Sequence, residues 1–283
     1  MRREFLSGLL RSADEGGYAI PAFNYTDIWD MMAIIRAAEE ERAPIMLALN
    51  EIVVKFTSVE IGGALGGAAA AGSSVPVLHH LDHSLSSDIC KDCIDHGFPS
   101  VMIDASMYDL EKNIKITGEV AEYGHTRDVH VEGEIGRIKG KSAEGEFAGG
   151  NFLAEVSDAA ALADATGVDS LAVGIGTAHG FYEGKPEINF TRLAEINEAV
   201  DIPLVLHGGT GIPEEDIKKA IKNGINKVNV GTVIHTTLMN GMRAELNRLG
   251  DNQMTLDVVR PVIEEIKAVV KKWIRVCMAD GKA

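Results

Sequence analysis

A short apolar run followed by a stretch of helical spacing recurs along the whole chain, and this alternation restricts the fold more than any other feature. The runs occupy residues 19–24, 44–49, 75–81, 100–104, 128–134, 170–176, 202–207 and 227–230. Each has the length of a strand, and several are rich in Val, Ile and Leu, as in strands covered on both faces. Amphipathic patterns fill 28–42, 86–96, 110–124, 158–166, 190–200 and 214–223. Asp, Ser or Thr at their starts, and Gly97, Gly124, Gly167 and Gly224 at or just past their ends, mark helix boundaries. Eight strand–helix units fit one closed α/β barrel, a single (β/α)8 TIM barrel over residues 1–283, better than an open sheet.

The polar residues make the barrel informative. At or just beyond successive strand ends stand Asn24, Asn50, Glu51, Asp82, His83, Asp104, Ser106, Glu132, Glu134, His179, His207 and Asn229. In a parallel barrel those ends share one face, the face where catalytic groups are placed. Residues far apart in the chain are therefore predicted to meet at one mouth.

Composition narrows the partners. The 283 residues are 46% hydrophobic and 24% charged, a globular balance that excludes disorder. A net charge of −15 repels nucleic acid and anionic membrane surfaces. It leaves room for a small anion, because helix N-termini and backbone amides make local positive pockets. With three cysteines, no signal-peptide pattern and no long apolar run, the expected location is the cytoplasm.

Three histidines belong to the strand ends: His83 in HHLDHS, His179 in GIGTAHG and His207 in LVLHGG. Three neutral imidazoles with a fourth position open form a catalytic metal arrangement, while each alone reads equally as a hydrogen-bonded strand end. His79 and His80 point to opposite faces and read as packing or supporting residues. Asp82, beside the histidines, has the chemistry of a general acid or base. Glu132 and Glu134 share a strand face and suit either metal support or a buried ion pair.

Two glycine turns follow the seventh and eighth strands: Gly208-Gly209-Thr210-Gly211, and Asn229-Val230-Gly231-Thr232. That is the usual place of a phosphate cradle in a barrel. Other motifs read as packing. Cys90 and Cys93 form a lone C-x-x-C, and Gly62-Gly63-Ala64-Leu65-Gly66-Gly67 lacks the spacing of a nucleotide loop. Residues 140–150, polar and glycine-rich, fit a lid over the mouth.

The segments AFNYTD, VLHHLDHS, SVMIDAS, VHVEGEIG, GVDSLAVGIGTAHG, LVLHGGTGIPEEDIKKAI and KVNVGT resemble those of the class II, zinc-dependent ketose-bisphosphate aldolases, which include fructose- and tagatose-bisphosphate aldolases. The likeness covers essentially the whole chain. It implies Zn2+ on His83, His179 and His207, with Glu134 near the metal, and Asp82 as the acid/base. It implies contacts to dihydroxyacetone phosphate from Gly180, Gly208, Gly209, Thr210, Asn229, Val230, Gly231 and Thr232, with Asn24 and Asn50 also at the site. A phosphorylated ketose as substrate, a homodimer or homotetramer, and a monovalent cation (Na+ or K+) near the phosphate follow from the same likeness.

The chain departs from the family pattern at four places. Asn50 stands where many members have serine, and Met107 replaces a common histidine. Ser142 occupies the position of the mobile acid/base glutamate, with Glu144 and Glu146 as neighbouring substitutes. Leu256 stands where an arginine meets the second phosphate, with Arg260 and Lys271 as replacements. These departures leave open an aldehyde half without a phosphate, or a non-catalytic sugar-phosphate-binding relative. A Schiff-base aldolase built on Lys227 is the rival chemistry; it needs a desolvated lysine and explains none of the histidines.

Overall fold

A computed structural model describes residues 2–142, 145–147, 152–180, 186–250 and 254–283. The elements run α1 (Arg2–Gly16), β1 (Ile20–Asn24), α2 (Ile28–Glu41), β2 (Ile45–Asn50), α3 (Glu51–Thr57), α4 (Val59–Gly72), β3 (Val77–Ser84) and α5 (Ser87–Asp95). They continue with β4 (Ser100–Ile103), α6 (Leu110–His125), β5 (His130–Ile135), β6 (Lys139–Ser142), β7 (Gly145–Phe147), α7 (Val156–Thr166), β8 (Ser170–Val173) and β9 (Ala178–His179). The last are α8 (Phe190–Ala199), β10 (Leu204–Leu206), α9 (Glu214–Lys222), β11 (Ile225–Val230), α10 (Thr232–Leu249) and α11 (Thr255–Val276).

Eight of the strands close a parallel barrel in the order β1-β2-β3-β4-β5-β8-β10-β11, so the fold is a single (β/α)8 TIM barrel as the alternation predicts. Each expected run overlaps one barrel strand, and β2, β3, β5 and β11 extend past the expected bounds. The run at 170–176 stops early, at Val173, because Gly174 and Gly176 begin the turn beyond it. The outer faces of the strands pack on the helices. Inside, Met102, Ala172 and Val205 form a small apolar cluster of their own.

Local chemistry sets the helix ends. Asp27 caps α2 by accepting from the amides of Trp29 and Asp30, and the Asp30 side chain returns the favour to the Asp27 amide. Asn50 ends β2 and caps α3, its side chain accepting from Val53 N at 3.1 Å. The glycines of α4 let it lie against the barrel: a Cβ on Gly66 would stand 2.3 Å from His79 Nε2. The helices α1 and α11, outside the expected pattern, complete the layer, and α11 carries Val258, Val262, Ile266, Val270 and Ile274 buried along one face.

Outside the barrel, β6 pairs antiparallel with β7 and parallel with β9. The expected lid therefore contains a short hairpin. The side chains of Ser142 and Glu146, and Glu144 altogether, lie outside the described residues. Among the described residues no single helix is long and apolar enough to cross a membrane.

Candidate metal centre

The site starts from an irregularity in β3. Strand neighbours normally point to opposite faces, yet Asp82 and His83 both line the mouth. The register with β4 shifts between Leu81 and Ser84, and His83 has a left-handed φ of 46°. A bulge of this kind re-aims one side chain, and a non-glycine residue held there stores strain at a functional position. Ser84 donates to Glu51 Oε2 at 2.6 Å and the Leu85 amide does so at 2.8 Å, which fixes the exit of the bulge. Glu51 is thereby a structural residue.

Asp82 is held on both oxygens. Asn24 Nδ2 donates to Oδ2 at 2.6 Å, and Asn229 Nδ2 donates to Oδ1 at 2.8 Å. The barrel register places these donors, since Asn50 lies beside Asp82 and Ala22 beside Asn229. Burial opposes the charge on Asp82, but His83, His207, Lys227 and the Asn24 hydrogen bond outweigh it and hold the carboxyl below its ordinary value.

Around this carboxylate the three histidines converge. Ring centroids of His83 and His207 are 4.4 Å apart, and those of His83 and His179 are 4.8 Å apart. One ligand atom from each lies within 4.8 Å of the other two, a donor set able to hold a metal ion. His179 reaches the cluster from β9, beyond the end of β8, rather than from a barrel strand. Burial pushes its ring down to about 3 and that of His207 well below the usual histidine range. His179 and His207 therefore present the neutral imidazole that metal binding requires.

The supporting residues aim the rings. His207 Nε2 is 2.9 Å from Glu132 Oε1. A carboxylate only accepts, so Nε2 carries the proton and Nδ1, buried with no hydrogen-bond partner, is left for a cation. Glu132 Oε2 in turn meets Lys227 Nζ at 2.7 Å, and Lys227 reaches His80 Nε2 at 3.2 Å. His80 continues through Nδ1 to Ser100 Oγ at 2.8 Å. Beneath His83, Nδ1 lies 3.5 Å from Asp104 Oδ2 and 3.8 Å from Glu134 Oε2. Glu132 thus takes the ion-pair role, while Glu134 stands beside His83.

The glycine turns form the other wall. Gly208 has φ +72°, and a Cβ there would stand 2.3 Å from the carbonyl oxygen of Ala178, so only glycine brings the His207 strand so close to β9. Gly231 precedes α10 with no side-chain cap of its own, and Thr210 Oγ1 accepts from the Val233 amide at 3.4 Å, tying the two glycine turns together.

The resulting cavity, of about 220 Å³, is lined by the expected Asn24, Asn50, Asp82, His83, His179, Gly180, His207, Gly208, Gly209, Thr210, Asn229, Gly231 and Thr232. Two expected residues stand back from it. Val230 turns its side chain into the hydrophobic core, because alternation along β11 sends Asn229 inward and Val230 outward. Glu134 lies behind His83. Leu256 is 43% exposed at the start of α11, and neither it, Arg260 nor Lys271 lines the cavity. Lys271 instead pairs with Glu40.

Sequence reading missed His235, which also lines the cavity. The available signal was its position three residues past Thr232, one helical turn beyond the glycine motif. Lys227 is fully buried between Glu132 and His80 and does not line the cavity, so it is not offered to a substrate carbonyl. Cys90 and Cys93 are buried free thiols, both pushed up by burial, Cys90 to about 12.

A closed barrel whose mouth gathers Asp82 and three histidines, facing two glycine turns, has the donor set to hold a metal ion beside a buried carboxylate. The comparisons place it more closely. The family described as fructose-bisphosphate aldolase class-II matches residues 5–282. The fructose-bisphosphate aldolase of Staphylococcus epidermidis is 38% identical over 270 residues, 94% of each chain. That of Geobacillus stearothermophilus is 37% identical over 279 residues, 97% of this chain and 96% of its own. Among solved structures, the YdjI aldolase of Escherichia coli K12 superposes with TM-score 0.86 at 32% identity, covering 98% of both chains. The chain belongs to the class II fructose-bisphosphate aldolase family and is a carbon–carbon lyase acting on a phosphorylated ketose.

Proposed function

We propose that the protein is a zinc-dependent aldolase that reversibly cleaves fructose 1,6-bisphosphate or tagatose 1,6-bisphosphate into dihydroxyacetone phosphate and an aldehyde. The observation that carries this reading is Asp82, clamped by Asn24 and Asn229 beside three converging imidazoles. The orphaned Nδ1 of His207 and the mutual approach of the rings fit a borderline-soft cation such as zinc. His83, His179 and His207 hold it, with Glu134 behind His83 as a supporting residue. When bound, the ion supplies Lewis-acid polarisation of the ketose carbonyl.

The chain's own groups do the rest. Asp82 accepts the proton of the C4 hydroxyl as the C3–C4 bond breaks, and returns it in the aldol direction. A second acid, the role the sequence gives to a glutamate of the 140–150 loop, supplies the proton that C3 takes up to complete dihydroxyacetone phosphate. Asn24 and Asn229 keep the carboxylate ionised and aimed. Gly180, Gly208, Gly209, Thr210, Gly231 and Thr232, with the backbone of Val230, hold the C1 phosphate on amides and hydroxyls, and Asn50 flanks the sugar. A sodium or potassium ion beside the phosphate, a homodimeric or homotetrameric assembly and a cytoplasmic location belong to the same reading.

A second reading of the substrate rests on one observation: among the described residues no lysine or arginine lines the cavity. It makes the aldehyde half a non-phosphorylated one. Dihydroxyacetone phosphate release from the two bisphosphates and from ketose 1-phosphates decides between them. A higher kcat/KM for either bisphosphate supports the first reading; preference for a 1-phosphate supports the second.

A further inference from the structure

His235 occupies the fourth position of α10, three residues after Thr232, so the two side chains share a helix face, and both line the cavity. Its Nδ1 lies 3.4 Å from Thr26 Oγ1. Thr26 donates its hydroxyl to Asp30 Oδ2 at 2.8 Å, and its amide donates to the same oxygen at 2.9 Å. With the Thr26 proton committed to Asp30, Oγ1 has lone pairs for the Nδ1 proton of His235. That fixes the neutral tautomer and leaves Nε2 as the ring nitrogen for a ligand. Asp30 is fully buried, which makes this support rigid.

The surroundings give the ring a second role. Of the two carboxylates near it, Asp30 is engaged by Thr26, and Asp27, from the turn before α2, favours a charged ring. Burial works against that charge and holds the free ring below its ordinary value, with Asp27 opposing. A phosphate dianion arriving at the α10 N-terminus would reverse the balance. The three remaining histidines of the cavity face one another. Among the described lining residues, His235 is thus the group beside the glycine turns able to become a cation.

We propose that His235 is a phosphate-recognition residue of this enzyme: it takes up a proton as the substrate's phosphate enters and donates a hydrogen bond to it from Nε2. The inference rests on the proposed reading of the glycine turns as the phosphate cradle. It makes phosphate affinity fall with rising pH through the titration of His235 in the complex. No bond to the phosphate forms or breaks; one proton moves from solvent to the ring on binding and back on release.

Calorimetric titration of the zinc-loaded protein with dihydroxyacetone phosphate tests it. Two buffers of different ionisation enthalpy at pH 7.5 report the protons exchanged, under conditions where the phosphate is already largely a dianion. His235→Gln, which hydrogen-bonds without titrating, and His235→Ala are compared with Thr232→Ala. The expected results are net proton uptake in the parent beyond that of either His235 variant, and binding about tenfold weaker in His235→Ala. A purely structural histidine would alter thermal stability and leave the proton count unchanged. Equal proton counts and affinities within twofold in both His235 variants, with Thr232→Ala still weakening binding, overturn the assignment alone. If Thr232→Ala is also without effect, the cradle reading falls with it.

Discussion

His207 Nε2 lies 2.9 Å from Glu132 Oε1, and this contact decides which face of the imidazole meets the cavity. Glu132 is itself held by Lys227 at 2.7 Å, with both side chains fully buried. The pair reaches the mouth of the barrel from its interior. It orients His207 from behind and does not itself line the cavity.

Replacing Glu132 by Gln keeps the shape, removes the obligate acceptor and leaves Lys227 buried without its counter-ion. Zinc affinity, measured by competition with a chelator, is expected to fall about 10- to 100-fold. Stability falls as well, because breaking a buried pair costs about 3–5 kcal/mol. Unchanged zinc affinity would mean that Glu132 serves only the core.

Asp82→Asn retains a side chain of the same size between Asn24 and Asn229 but cannot take a proton. The expected loss in kcat is about 10²- to 10⁴-fold. Affinity for dihydroxyacetone phosphate should stay within a few-fold, since the glycine turns are untouched. Turnover at the parent rate would remove Asp82 from the chemistry.

Gly66→Ala tests the packing account of the glycine-rich helix. The new Cβ would meet the His79 ring at 2.3–2.4 Å. That ring cannot retreat easily: it stacks on Phe98 at 4.2 Å between centroids and meets Tyr25 OH at 3.0 Å. Denaturant unfolding should show a loss of about 1–3 kcal/mol. A neutral outcome would show that α4 shifts freely on the barrel.

These cases show what a reader of the sequence has access to. The eight strands were legible because strands buried on both faces become continuous apolar runs, and the convergence of Asp82, His83 and His207 followed from strand ends sharing a face, whereas His179 arrives from β9 beyond the barrel strand. The bulge that lets adjacent Asp82 and His83 both face the mouth was not, because backbone dihedrals leave no mark at a non-glycine position. Lys227 read as a strand residue; its partners Glu132 and His80 lie 95 and 147 positions away, a juxtaposition that only barrel closure creates. Val230 belongs to the glycine motif by sequence, yet alternation along β11 sends its side chain outward.

Asp30 gives the fold a pH dependence of its own. Burial, then the neighbouring Asp27, raise its carboxyl to about 6 against donors from Asp27 and Thr26 that lower it. The ordinary value of 3.8 applies to the unfolded chain. The folded state therefore binds this proton more tightly. The stability it contributes is fully present below pH 3.8 and is lost as pH rises through about 6, a change of roughly 3 kcal/mol. Asp30→Asn should remove that loss. Urea midpoints at pH 4.5 and 7.5 check it: parallel pH dependence in both proteins would contradict the assignment.

The central claim, that three histidines hold a metal ion on which the aldol cleavage depends, is tested most directly by removing the ion. Protein treated with EDTA and freed of chelator is assayed for dihydroxyacetone phosphate release from fructose 1,6- and tagatose 1,6-bisphosphate, then again after one equivalent of zinc. The account predicts loss of activity and its recovery at one zinc per chain, with no recovery in His207→Ala. Full turnover by the metal-free protein, or a lysine adduct trapped by borohydride in the presence of substrate, would contradict it.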